Sequence, residues 1–156
     1  LGSLTALINN ASLFEPDKKD PDGSQHHAIN FHAPQILSEA FRRQTPAGHT
    51  GAIVNLLDAD PTVPSFSHYN QSKKLLRAAT MEQAKNFAPH VRVNGVVLGP
   101  ILPSIHQTIE RFQAMVQVTP LGVEIKPETV AATIRFIVEN TAITGETVYV
   151  DGGIHL

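Results

Sequence analysis

Tyr69 precedes Lys73 by four residues in the stretch HYNQSKK, residues 68–74. If that stretch is helical, the two side chains share a face, and a phenol and an ammonium point the same way one turn apart. A nearby ammonium stabilises phenolate and draws a tyrosine down from its ordinary pKa of about 10 towards the working range of a proton donor or acceptor. Such a pair is a general acid with its tuner. The same spacing also describes an exposed tyrosine and lysine on a solvated helix face, so the elements around it decide. A second candidate is Asp58, which closes the apolar run GAIVNLLD ahead of Tyr69. Other titratable groups say less. His26 and His27 are adjacent, diverge by about 100° on a helix and cannot clamp one metal ion, so no metal site is expected. His68 and His155 read as solvated or as rim residues of a site, and the run Glu82 to Lys85 as a wet helix face.

The elements that must hold these groups are legible as alternating runs. Leu4 to Asn10, Gly51 to Asp58, Val91 to Gly99 and Glu146 to Val150 are short and apolar, as buried parallel strands are. Helical patterns fall between them, over Ala28 to Gln44, Tyr69 to Phe87 and Pro127 to Glu139; in the second, Leu76, Ala79, Gln83 and Phe87 recur at steps of three or four. Pro127 suits a first helical turn. Strands alternating with helices imply right-handed βαβ crossovers and an α/β fold, a Rossmann-like doubly wound parallel sheet. Asp17 to Gly23, DKKDPDG, reads as a charged, solvated surface loop. Gly99 to Ile105 is irregular and follows the carboxyl end of a strand, where ligands bind in this architecture.

Bulk properties narrow the partners. The 156 residues, 42% of them hydrophobic, suffice for one domain with a core. A formal charge of −2 and a pI of about 6.5 give no basic excess, so neither nucleic acid nor a membrane surface is an expected partner. The chain has no cysteine, which excludes disulfides and thiolate metal sites and suits a reducing, cytoplasmic location. No apolar run approaches the roughly 18–20 residues of a membrane-spanning helix.

The candidates recur in a particular order: Asn9-Asn10-Ala11-Ser12 ends a strand, Asn30 lies in the next helix, and Asp58 ends the strand before the Tyr69/Lys73 helix. Then GPILPS follows at Gly99 to Ser104, and VDGG at Val150 to Gly153. Together these resemble the short-chain dehydrogenase/reductase family over essentially the whole chain. The resemblance implies that Asn10, Ala11, Tyr69, Lys73, Pro100 and Ile101 contact a nicotinamide cofactor, with NADP(H) ahead of NAD(H). It implies that Lys73 binds the nicotinamide ribose and acidifies Tyr69, and that Asn30 anchors a proton-relay water. The family's glycine-rich pyrophosphate loop has no match, so residues 1–156 are expected to be the C-terminal portion of a single such domain, without its N-terminal strands and glycine-rich loop.

Within the family, Asp58, the run NNASLF and the ending DGGIHL resemble the pteridine reductases. By position, Ser12 and Phe14 would line the site, with Phe14 stacking on a flat heterocycle. Asp58 would share delivery of a proton to a ring nitrogen with Tyr69. The alternative is that Phe14 is a core or interface aromatic, and Ser12 a turn residue. Asp58 and Tyr69 are closer in sequence than that branch expects, which leaves Asp60 as a competitor; GPILPS also lacks the second glycine of the closing loop and its threonine. The expected activity is NADPH-dependent reduction of a pteridine- or folate-like small molecule. Alternatives are a short-chain reductase of a carbonyl or alcohol (a 3-oxoacyl group or a sugar) and an inactive dimerisation module. The resemblance also implies pairing through the helices over Ala28 to Gln44 and Tyr69 to Phe87, and hence a dimer or homotetramer.

Overall fold

A computed structural model of the chain describes residues 4–59 and 64–156. Four parallel strands lie in the order β1 (Ala6–Asn9), β2 (Gly51–Asp58), β3 (Val91–Leu98) and β4 (Thr147–Val150). Register pairs Asn9 with Asn55, Gly51 with Val91 and Asp58 with Leu98. β2 and β3 are buried along nearly their whole lengths, which is why they read as continuous apolar runs.

Alternate residues of these strands feed two helical layers. Ile53, Val91 and Val93 pack with Phe41 of α2 (Ala33–Gln44) and Ala84 of α3 (Ser67–Phe87), while Leu57 and Val97 enclose Leu76. On the opposite face Val54, Leu56 and Val96 meet Ile137 of α5 (Pro127–Glu139). The expected α/β sheet covered on both faces is observed among the described residues.

The first predicted helix begins earlier than its pattern suggests. Gly23, at φ 72°, precedes α1 (Ser24–His27), and a π-helical turn over Ala28–His32 joins α1 to α2. Pro34 explains the widening, because proline has no N–H for the helical bond to residue 30 and its ring crowds that carbonyl. The wider turn instead closes from Ala33 N to Ala28 O. Residues 109–117, unassigned from sequence, form α4 (Ile109–Gln117), whose N-cap Thr108 accepts a hydrogen bond from Arg111 N.

The reading of Asp17 to Gly23 as a solvated loop is corrected. Asp17–Lys19 is a 3-10 turn, and the Asp17 carboxylate caps α3 by accepting from Ser67 N at 3.1 Å, Ser67 Oγ at 2.6 Å and His68 N at 3.2 Å. The Ser67 hydroxyl is the main cause that holds Asp17 below the ordinary carboxylate range. Asp20 is buried; it accepts from His26 N at 2.9 Å and lies 2.6 Å from His26 Nδ1. A charged string can thus be an internal clamp when its carboxylates find orphan helix N–H groups, and its composition alone does not reveal that.

Candidate active site

The sheet's carboxyl edge ends beneath a cavity of about 560 Å³ whose walls include Phe14, Asp58, Phe66, Tyr69, Pro100 and His106. Two strand ends define its floor. β2 delivers Asp58, and β3 runs into Gly99, where an added Cβ would lie 2.6 Å from Asp151 Cα. Only glycine lets the chain after β3 pass this close to the VDGG turn.

Tyr69 sits in the first turn of α3, held there by the Asp17 cap, and Lys73 follows one turn later on the same face. The phenol donates to Asp58 Oδ2 at 2.5 Å. Lys73 is buried, with Nζ donating to Leu56 O at 3.0 Å and lying 5.9 Å from the Tyr69 ring centroid. Tyrosine, lysine and aspartate therefore converge.

Their electrostatics differ from the sequence expectation. Burial, then the charge of Asp58 and then the hydrogen bond to it, push the Tyr69 phenol above its ordinary value. The hydroxyl of Tyr69 is paired with a carboxylate, which opposes loss of its proton. Lys73 is lowered to about 8 by burial, with the Asp58 charge opposing that fall. The expected acidified phenol is therefore corrected to a phenol that keeps its proton at neutral pH. Chemically, the arrangement is a proton donor backed by an acceptor, with an ammonium beside it.

Asn30 is fully buried at the π-helical turn. Its Oδ1 accepts from Leu13 N at 2.7 Å, and its Nδ2 donates to Leu13 O at 2.9 Å and to Ser72 Oγ at 3.0 Å. Ser72 Oγ in turn donates to Tyr69 O at 2.7 Å. Asn30 thus ties the loop after β1 to the first turn of α3, and Leu13, flanked by Ser12 and Phe14, is the tied residue. Ser12 is exposed, with Oγ 3.4 Å from Asn30 Oδ1, and is not a wall of the cavity. Asn10 and Ala11 are exposed on the same loop. Pro100 lines the cavity, whereas Ile101 does not. Asp60 lies outside the described residues.

Phe14 is a cavity aromatic, but one of its faces is already stacked. Phe66 lies 4.5 Å away at 19°, Tyr69 meets it edge-on at 4.7 Å, and His106 is tilted at 6.3 Å. His106 also comes within 3.1 Å of Glu15 Oε2, bridging the loops after β1 and β3. Sequence reasoning gave no role to Phe66 or His106. Phe66, three residues before Tyr69, carried a faint signal as an aromatic at a helix entrance; His106 carried none.

Beneath the site, Asn9 Nδ2 donates to Asn55 Oδ1 at 2.7 Å, and Asn55 Nδ2 donates to Thr80 Oγ1 at 2.9 Å. This buried chain pins β1 to β2 and to α3. It shows why Asn9, the less noticed half of the NN pair, faces inward while Asn10 faces out.

The family model described as Enoyl-(Acyl carrier protein) reductase matches residues 1–155. The chain belongs to the short-chain dehydrogenase/reductase family. The crystal structure of FolM alternative dihydrofolate reductase 1 from Brucella canis, complexed with NADP, superposes with a TM-score of 0.91 at 37% identity, covering 99% of this chain and 64% of that one. A dihydromonapterin reductase from an Enterobacter species is 28% identical over 158 residues, covering 96% of this chain and 66% of its own length. Galactitol 2-dehydrogenase (L-tagatose-forming) from Cereibacter sphaeroides is 30% identical over 167 residues, covering 96% of this chain and 65% of its own length. The chain thus spans slightly under two thirds of the length of these relatives.

Proposed function

We propose that the full-length protein is an NADPH-dependent reductase of a pteridine- or folate-like substrate. The observation that carries this reading is the Tyr69–Asp58 hydrogen bond at 2.5 Å. Reducing a C=N bond requires a proton at nitrogen as well as a hydride at carbon, and a phenol that stays protonated suits that direction of reaction. Asp58 accepts from the phenol in the resting site, and once protonated it can share delivery to a ring nitrogen. The cofactor, when bound, supplies the hydride.

The donor set fits a nicotinamide ribose. Lys73 Nζ uses one N–H on Leu56 O, leaving two for a diol, and the Tyr69 hydroxyl lies on the same helix face. Asn10, Ala11, Pro100 and Ile101 are the loop residues assigned to the same contact. Phe14, with Phe66 stacked behind it, offers an aromatic surface for a flat ring, and Ser12 sits on the loop that carries it. Asn30 acts here by pinning that loop to α3, whatever water it anchors. The FolM and dihydromonapterin reductase similarities support the substrate class, and the NADP bound to FolM supports the cofactor. Self-association belongs to the same reading, since Ile36 and Leu37 of α2 and Met81 of α3 are exposed.

Galactitol 2-dehydrogenase favours a second reading, with a carbonyl or alcohol substrate. A panel of dihydrobiopterin, dihydrofolate, ketones and sugars, followed by NADPH oxidation at 340 nm, decides between them. Asp58→Asn is expected to lower pterin reduction more than any residual ketone reduction. Ketone turnover without pterin turnover, or equal losses on both, would overturn the pteridine reading.

A further inference from the structure

Tyr69, Lys73 and Arg77 recur every four residues along one face of α3, and the third of them has no part in the site so far. Arg77 Nη2 donates to the main-chain oxygen of Asp58 at 3.1 Å. Its guanidinium lies over the Tyr149 ring, 5.7 Å from the centroid. Tyr149 stacks on His155 at 3.9 Å and 24°, and the Asp151 carboxylate holds His155 through Nδ1 at 2.7 Å and through N at 3.2 Å. Asp151 itself is buried beside Gly99. An unbroken column of contacts therefore runs from the DGG turn through two rings and a cation to the residue that meets the phenol.

The need for such a hold follows from where Asp58 sits. It is the last paired residue of β2, opposite Leu98, and the next backbone bond, Ala59 N to Leu98 O, is long at 3.3 Å. The end of a strand can swing, and an error of about 1 Å in a reacting group can lower turnover by about 100-fold. A guanidinium clamped against an aromatic ring is a rigid donor, which a free lysine ammonium is not.

We propose that Arg77 is a positioning residue that fixes the Asp58 carboxylate against Tyr69 by holding the Asp58 main chain, with Tyr149 and His155 clamping the guanidinium. The inference rests on the proton-transfer role of Asp58 in the proposed function.

The experiment uses the full-length protein with NADPH and whichever substrate it turns over fastest. Arg77→Met is expected to lower kcat by at least ~10-fold while KM for substrate and for cofactor stay within about twofold, as for an interaction felt in the transition state. Arg77→Lys restores part of kcat, since it donates to the carbonyl but stacks poorly. Tyr149→Leu lowers kcat in the same direction, and the double variant Arg77→Met/Tyr149→Leu is no slower than Arg77→Met alone, because both act through one column. An unchanged kcat in Arg77→Met, a loss that merely tracks the unfolded fraction, or additive effects of the two substitutions would overturn the proposal. If Arg77→Met does not fold, Arg77→Lys and Tyr149→Leu carry the same kcat-against-KM test. Asp58→Asn run in parallel separates the two ideas. Full activity there removes the role of Asp58 and this inference with it, whereas an impaired Asp58→Asn beside a normal Arg77→Met overturns Arg77 alone.

Discussion

The buried charge of Lys73 is expected to make the protein less stable at neutral pH than it would be without that charge, and removing the lysine tests this directly. The side chain is 8% exposed, and burial lowers its pKa from 10.5 to about 8. That fall corresponds to about 3 kcal/mol against folding when the group is charged in both states. Below pH 8 both folded and unfolded chains carry the proton, so the penalty is present in full. Between about 8 and 10.5 the folded chain releases its proton while the unfolded chain keeps it. The unfolded state then binds more protons, so stability rises with pH across that window and the penalty fades. Urea unfolding of wild type and Lys73→Met, both free of cofactor, at pH 7 and pH 10 reads the difference. Lys73→Met should gain on wild type at pH 7 and lose most of that gain at pH 10, a change of up to about 3 kcal/mol. Other lysines and tyrosines titrate equally in the two proteins, and the neutral amine can still donate to Leu56 O, so both effects largely cancel. A difference that does not change with pH, or one that grows towards pH 10, would refute the reasoning. The same substitution should abolish turnover, making Lys73 a site where stability is given up for activity.

Tyr69→Phe should lower turnover by at least ~100-fold, the scale of general acid catalysis, as measured by NADPH oxidation; an unchanged rate would remove its assigned role. Asp17→Ala should destabilise the protein by about 1 kcal/mol through loss of the α3 cap, read by urea unfolding at pH 7. Because Asp17 is held below the ordinary carboxylate range, its contribution is present above that range and is lost as pH falls through its folded value, so wild type and Asp17→Ala should converge in acid.

The strands were legible because a parallel strand buried on both faces must be apolar without interruption, as Gly51–Asp58 and Val91–Leu98 are. The pairing of Tyr69 with Lys73 was legible for a similar reason, since four residues in a helix always return to the same face. The entry to α2 was not, because its apolar pattern starts after the π-helical turn that Pro34 imposes. Nor was α4, short and partly exposed, or the role of DKKDPDG, whose carboxylates cap helix ends that propensity alone cannot locate.

The sequence by itself determined the family, the order of the elements and the residue types available for chemistry, all of which depend on local spacing. Only the tertiary structure decided which group touches the phenol. Lys73 shares a helix with Tyr69, yet its ammonium turns to Leu56 O, while Asp58, at the end of that same strand β2, takes the hydroxyl. The charge state of a buried phenol depends on distances and desolvation between separate elements, here β2 and α3, and these exist only once sheet and helix have packed.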